Sequence, residues 1–401
     1  MRRKKSIYRK FCRTEGKRGE KTNVFLFSLA EKKQAWYNFF MKILHCSDIH
    51  LESKLSALPH NKALLRRGEI LESFCSLMRQ AQADGFGAFI VAGDLFEGNV
   101  VAPSTKTALV SAFCDCPDVD FIILTGNHDG DAFGADFVRR LPANVHVLGR
   151  NGMEEFVKDG VCFVGADMTE TTMRDIQAYP WKKEYYNVFI CHGDIGKNSE
   201  YGAIDLDGFY DLPVDYIAMG HIHSFYLEGA GRGYAAYSGC LEPRGYDETG
   251  EKGFVIVNTE ILNRADSIAF APYARRLAWQ INLDVSDCAD KSQIVDKARS
   301  LIGEGLISEN DMVEFYLVGE VAEDCVFTEM QIKNELKKYL FDVKVRDKTK
   351  LRLDIEALKG TPSLKAEFIT LAEKEIPDEE MRNTVIRYAL NALNGEEIDE
   401  L

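Results

Sequence analysis

Long apolar runs are missing from this 401-residue sequence. The stretch Val24–Ala30, VFLFSLA, falls far short of the ~20 residues that a membrane-spanning helix needs. It follows a basic stretch and runs into Glu31-Lys32-Lys33 rather than a small-residue cleavage site. Neither a signal peptide nor a membrane helix is therefore expected. Clustered cysteines are missing too: the ten are scattered, and apart from Cys114 and Cys116 no two lie close together. That spacing excludes a disulfide framework and a zinc knuckle, and reduced thiols in a cytoplasm fit best. No internal repeat or low-complexity segment stands out, and no GxxxxGK[ST] motif is present, so the chain is not its own ATPase.

Positive charge is scarce over most of the length. The formal net charge is −14, yet residues 1–40 hold 12 Lys/Arg against 3 Glu, which leaves 37 Lys/Arg against 60 Asp/Glu, or −23, over residues 41–401. Because Met41 stands directly before a strong strand pattern, residues 1–40 are expected to be a basic, disordered extension or an over-called start. The alternative is a basic arm that touches nucleic acid.

With 46% hydrophobic residues, the remainder can bury a full core. From Met41 the pattern alternates: strand KILHCS, a helix over about 61–83, strand AFIVAG, a helix over about 103–113, strand DFIIL. The first helix is expected to bury Leu64, Leu71, Phe74, Met78 and Ala81. Such alternation implies βαβ units, an α/β class of fold. The next pieces, VCFVGA, YNVFICHGD, VDYIAMGHIH, GYAAYSG and GFVIVNT, read as a second, more antiparallel sheet. After about residue 272 a βαβαβ pattern suits a small α+β cap, and the acid-rich tail is helical and broken at Pro377. The expected division is an extension over 1–40, a catalytic domain over 41–272, a cap over 273–355 and a helical tail over 356–401.

Several strands end on metal-ligand residue types: Asp48 and His50 in HCSDIH, Asp94 in VAGDLF, Asn127 and His128 in LTGNHD, His192 in ICHGD, His221 and His223 in MGHIH. Ligands in open α/β sheets gather at the carboxyl ends of strands, so these loops can converge on one site. Glycines beside them, Gly93, Gly126, Gly193 and Gly220, allow the backbone to turn there. Carboxylate, amide and imidazole donors without thiolate suit Mn²⁺, Fe²⁺ or Zn²⁺. Any one piece alone is more often a turn, a helix cap or a surface pair; five in one chain point to a dinuclear centre.

Those five blocks, SDIH, GDLF, GNHD, CHGD and GHIH, resemble the signature of the calcineurin-like metallophosphoesterase superfamily over about residues 42–225. The resemblance implies a four-layer α/β/β/α sandwich in which Asp48, His50 and His223 hold one metal, Asn127, His192 and His221 the other, and Asp94 bridges them. His128 would face the scissile phosphate. Two divalent ions would lower the pKa of bound water towards roughly 7–9, and Mn²⁺ is the first expectation. Asp129 is expected either to orient the His128 ring or to cap a helix starting near Ala132.

The segment YSGCLEPRGYDETGEKGF and the small cap are similar to the SbcD branch of DNA repair exonucleases, especially its YhaO-like members. That likeness implies DNA as substrate and a coiled-coil ATPase of the SbcC kind as partner; a homodimer is left open. The stretch from Lys333 to Arg352, with Lys344, Arg346, Lys348 and Lys350, is the best phosphate-contact candidate in an acidic body. A solvated face is the alternative. Arg244 is a similar candidate, with turn stabilisation as its alternative. In the tail, Ile386, Leu390 and Leu393 form a stripe that suits either a partner helix or packing on its own domain. The runner-up function is a small-molecule or cyclic-nucleotide phosphodiesterase, and a third is a non-catalytic, metal-bound scaffold.

Overall fold

Three consecutive strands, β1 (Lys42–Cys46), β2 (Ala88–Ala92) and β3 (Asp120–Leu124), are short and almost wholly buried on both faces, as central parallel strands covered on each side must be. The computed structural model describes residues 41–168, 171–196, 202–261, 265–303, 305–322, 324–352 and 358–394. The basic extension over 1–40 and parts of the tail lie outside the described residues. β4 (Val145–Leu148) continues the first sheet beside β3.

β5 (Glu154–Lys158), β6 (Val161–Gly165) and β7 (Tyr186–His192) build a second sheet with β10 (Tyr216–Gly220), β11 (Tyr226–Ala230) and β12 (Gly233–Tyr237); β8 (Asp194–Ile195) and β9 (Ala203–Ile204) make a short separate pair. β13 (Gly253–Asn258) and β14 (Ile268–Pro272) return to the first sheet, whose order is β14-β13-β1-β2-β3-β4; the second runs β11-β12-β10-β7-β6-β5. Two expectations are corrected here. GFVIVNT pairs antiparallel with β1 in the first sheet, and the second sheet is no more antiparallel than the first, since its interior pairs β12-β10-β7-β6 are parallel. A strand's own residues record how it is covered, not which neighbour it pairs with.

Period-two alternation sorts the side chains into layers. Ala88, Ile90 and Ala92 of β2 face the second sheet, meeting Val188, Ile190, Tyr216 and Ala218. Phe89 and Val91 face the other way, against α1 (His60–Ala83) and α2 (Pro103–Cys114). On the far side, Phe189, Cys191, Ile217 and Met219 pack under α4 (Met173–Ala178), which follows α3 (Ala135–Val138) in the chain. The result is the α/β/β/α sandwich. α1 departs from its expected stripe: Leu64 is 52% exposed, and the buried face carries Ala63, Arg66, Ile70, Phe74, Met78 and Ala81. The wholly buried Arg66 lies on that face, bonded to Glu69 (2.9 Å) and Glu242 (3.0 Å), a pairing that offsets part of the cost of burying its charge.

The cap is β15 (Ala278–Asp284), α5 (Lys291–Gly303), β16 (Met312–Val318), α6 (Glu329–Leu336) and β18 (Asp342–Asp347), its three strands parallel, with β17 (Glu320–Val321) and β19 (Lys350–Leu351) as a small side pair. Phe315, Leu317, Val343 and Val345 pack under its helices. The opposite face of β18, with Lys344 and Arg346, is not covered by those helices. The cap is bolted to α1 by Arg276 to Glu69 (2.5 and 2.9 Å) and by Lys62 to Asp342 (2.8 Å). Tyr246 also donates to Asp342.

In the tail, α7 (Leu364–Glu375) and α8 (Glu379–Asn394) pack on each other through Ile369, Ala372, Ile386 and Leu390. Ile386 and Leu390 are thus used within the tail, and of the expected stripe only Leu393 stays well exposed, at 43%. Among the described residues no helix is long and apolar enough to cross a membrane, and every cysteine is free.

Candidate metal centre

The carboxyl ends of β1, β2, β3, β7 and β10 deliver Asp48, His50, Asp94, Asn127, His192, His221 and His223 to one place. Asp48, His50, Asp94 and His221 all have positive φ (54°, 49°, 54° and 103°), a strain of roughly 1–3 kcal/mol each that persists only where the scaffold over-determines it. The two sheets close tightly beneath. A Cβ on Gly220 would stand 1.9 Å from the Ala92 carbonyl oxygen, and one on Gly126 2.3 Å from Asp94 Oδ1.

His50 Nε2 lies 3.6 Å from Asp94 Oδ2 and 3.9 Å from Asp48 Oδ1, and His223 Nε2 lies 3.6 Å from Asp48 Oδ1. His192 Nε2 lies 3.2 Å from Asp94 Oδ2 and 3.1 Å from Asn127 Oδ1. Asp94 therefore faces ligand types on both sides. His221 Nε2 stands 3.5 Å from Asp194, and its backbone N–H donates to Asp48. The donor atoms of Asp48, His50 and His223 lie within 4.8 Å of one another, as do those of Asp48, Asp94 and His192. His50 Nε2 is buried without a hydrogen-bond partner, an arrangement that costs free energy unless a cation takes the lone pair. These residues fit divalent cations.

The electrostatics agree in sign. Burial disfavours charge on His192, but Asp94 and Asp48 outweigh it and raise the pKa to about 9. His223 is likewise desolvated, and Asp48 and Glu248 bring it to about 9. The hydrogen bond from His50 holds the Glu97 carboxyl down at about 2. Concentrated negative charge thus awaits positive charge here. His45, below the site, differs: burial pushes it down to about 3, so it stays neutral, bonded to Tyr216 Oη at 2.7 Å.

His128 has a half-exposed side chain that opens on a cleft of about 850 Å³, lined also by Lys54, Asn99 and Arg244. Its Nδ1 lies 3.0 Å from Glu97 Oε1. Asp129 is corrected on both expectations. It is fully buried, its two oxygens accept the N–H groups of Phe96 (2.7 Å) and Gly126 (2.8 Å), and it neither meets the His128 ring nor caps a helix through its side chain. It braces the Asp94 loop against the Asn127 loop, and the carboxylate that meets His128 is Glu97.

Sequence reasoning missed Glu97 and Glu248. Glu97 lies 2.7 Å from His50 Nδ1 as well as beside His128, and Glu248 accepts from His223 Nδ1 at 2.8 Å. The available signal was a carboxylate three residues after Asp94 in GDLFE. Arg244 takes the turn role: its backbone N–H and guanidinium bond Glu248 (2.7, 2.9 and 3.0 Å), and Nη1 reaches Glu97 (3.1 Å). The cap cations lie elsewhere. Lys344 sits over the Tyr246 ring, Arg346 pairs with Glu314 at 3.4 Å, Lys348 sits over the Tyr316 ring, and Lys350 is exposed on β19.

Residues 41–225 match the family model of the calcineurin-like phosphoesterases. A Bacillus subtilis protein described as the uncharacterized metallophosphoesterase YhaO is 23% identical over 236 residues, 54% of this chain and 57% of that protein. The Methanopyrus kandleri DNA double-strand break repair protein Mre11 is 23% identical, over 88% of this chain and 82% of its own length. The SbcD component of the Escherichia coli nuclease SbcCD is 25% identical over 57% of this chain and 67% of its own. The match to YhaO spans little more than half of that relative.

Proposed function

We propose that this chain, which carries a calcineurin-like phosphoesterase domain over residues 41–225, is a metal-dependent phosphodiesterase acting on DNA, the exonuclease component of an SbcCD-like repair complex. The supporting observation is the convergence of seven ligand-type side chains from five strand ends, with His128 beside them and facing the cleft. Asp48, His50 and His223 would hold one cation and Asn127, His192 and His221 a second, with Asp94 between. When bound, such a pair supplies a hydroxide nucleophile near neutral pH and offsets phosphoryl charge.

The chain's own residues do the rest. His192 donates Nδ1–H to the Ala92 carbonyl at 2.9 Å, which leaves Nε2 free to ligate. In its doubly protonated form His128 would donate from Nδ1 to Glu97, 3.0 Å away, and from Nε2 to a leaving or equatorial oxygen. DNA as substrate rests on the names of the Mre11 and SbcD relatives, and on the cap, whose β18 face away from its helices carries Lys344 and Arg346. Lys348 and Lys350 would add to a phosphate contact there. In this reading residues 41–272 are the catalytic domain and 273–355 the cap. The partner is a coiled-coil ATPase, and the compartment the cytoplasm.

The test is Mn²⁺-dependent hydrolysis of linear DNA, a bis-aryl phosphodiester and an aryl monoester. Cleavage of DNA and of the diester is expected. Hydrolysis of the monoester alone would sink the nuclease reading.

A further inference from the structure

We propose that Glu248 is a positioning residue for the cation held by Asp48, His50 and His223, and that Arg244 locks it in place. The proposal rests on the ligand reading above. The His223 ring is suspended between two carboxylates: Nε2 faces Asp48 Oδ1 at 3.6 Å, and Nδ1 meets Glu248 Oε1 at 2.8 Å. A ring that donates Nδ1–H to a carboxylate presents its Nε2 lone pair and becomes a better ligand. Arg244 Nη2 also lies 3.2 Å from His223 Nδ1. Were Nδ1 to accept from Arg244, Nε2 would carry the proton and could not ligate. The closer, charged Glu248 oxygen selects the ligating tautomer.

Glu248 is itself held. Its side chain is 9% exposed, and Arg244 reaches it with three donors: the backbone N–H to one oxygen, Nε and Nη2 to the other. The same guanidinium extends Nη1 to Glu97, which lies against His50 Nδ1. One arginine thereby steadies the carboxylates behind both histidines of a single cation position. Lys252 fixes the backbone of the same ligand, donating to the His223 carbonyl at 2.7 Å. The other position is built differently, because His192 Nδ1 is held by the neutral Ala92 carbonyl. Loss of the Glu248 charge should therefore weaken one cation and spare the other. A residue that only stabilised its turn would lower both affinities together or neither.

Mn²⁺ titration calorimetry on metal-stripped protein separates these outcomes. His192→Ala isolates the Asp48, His50, His223 position, and His50→Ala isolates the other. Adding Glu248→Gln is expected to lower Mn²⁺ affinity about 10–100-fold in the first background and to leave it unchanged in the second. Glu248→Asp, with its shorter reach, is expected to fall between, and thermal unfolding by circular dichroism reports whether each variant folds. Equal losses in both backgrounds, or no loss in the first, would overturn the role of Glu248. If the unsubstituted protein binds no Mn²⁺, the ligand reading itself fails and the proposal falls with it, an outcome already visible before any Glu248 variant is made.

Discussion

Of the five histidines at the strand ends, His128 has the most exposed side chain, and it is the one whose ring does not face Asp48, Asp94 or Asp194. A proton donor must be reachable by substrate, and the exposed side of His128 meets that requirement. Replacing His128 by Asn should cut kcat by roughly 10²–10⁴-fold while Mn²⁺ affinity measured by calorimetry stays put; a parallel fall in affinity would make it a ligand instead. Gly220 is constrained by contact rather than by φ. With Ala92 O in the place a Cβ would need, Gly220→Ala must push the two sheets apart, at a cost of about 1–3 kcal/mol or more. Urea denaturation would read the loss, and unchanged stability would contradict the close approach.

The elements meet through a few charged bolts. Arg66, Glu69, Glu242 and Arg276 form one chain of ion pairs from α1 to the segment entering the cap. Glu69 is partly desolvated, yet its bonds to Arg276 and Arg66 lower its pKa below the ordinary 4.5. Because the folded value is depressed, its contribution is present above pH 4.5 and is lost as pH falls through the lowered value. The stability gap between wild type and Glu69→Gln should therefore narrow as the pH drops below about 4.5, followed by urea midpoints. A gap that widened on acidification would contradict this coupling. The loop from Glu242 to Glu248 ties both ends together, because Tyr246 bonds Asp342 of the cap while Glu248 bonds His223 of the metal centre.

At the scale of the molecule, charge opposes the proposed substrate. Residues 41–401 carry 37 Lys/Arg against 60 Asp/Glu, so long-range attraction for DNA is weak, and under the proposed function binding would depend on local cations or on a partner. The isolated chain should bind DNA with Kd no tighter than about 10⁻⁶ M at physiological salt, and nanomolar binding in a filter or anisotropy assay would refute this. The alternation of β18 puts Lys344 and Arg346 on one face. If both contact phosphate, the double alanine variant should flatten the log–log salt dependence by a slope of roughly 2. An unchanged slope would mark that face as merely solvated.

What the sequence alone determined was local chemistry: donor types and turn-permitting glycines stand next to each other where an apolar run stops, and the recurrence of that pattern at five strand ends, rather than any one of them, marked Asp48, His50, Asp94, Asn127, His192, His221 and His223 as candidates. The alternation gave the α/β class, and the four-layer arrangement came from the family resemblance of the five blocks. The tertiary structure decided whatever needs two distant segments at once. Phe96 and Gly126 satisfy Asp129, His223 recruits Glu248, Glu242 reaches Arg66 from 176 residues away, and GFVIVNT finds β1. Periodicity records how often a residue is buried, and pairing depends on which surfaces arrive beside it. For that reason the candidate ligand types could be read from the chain, while the carboxylates beside their rings could not.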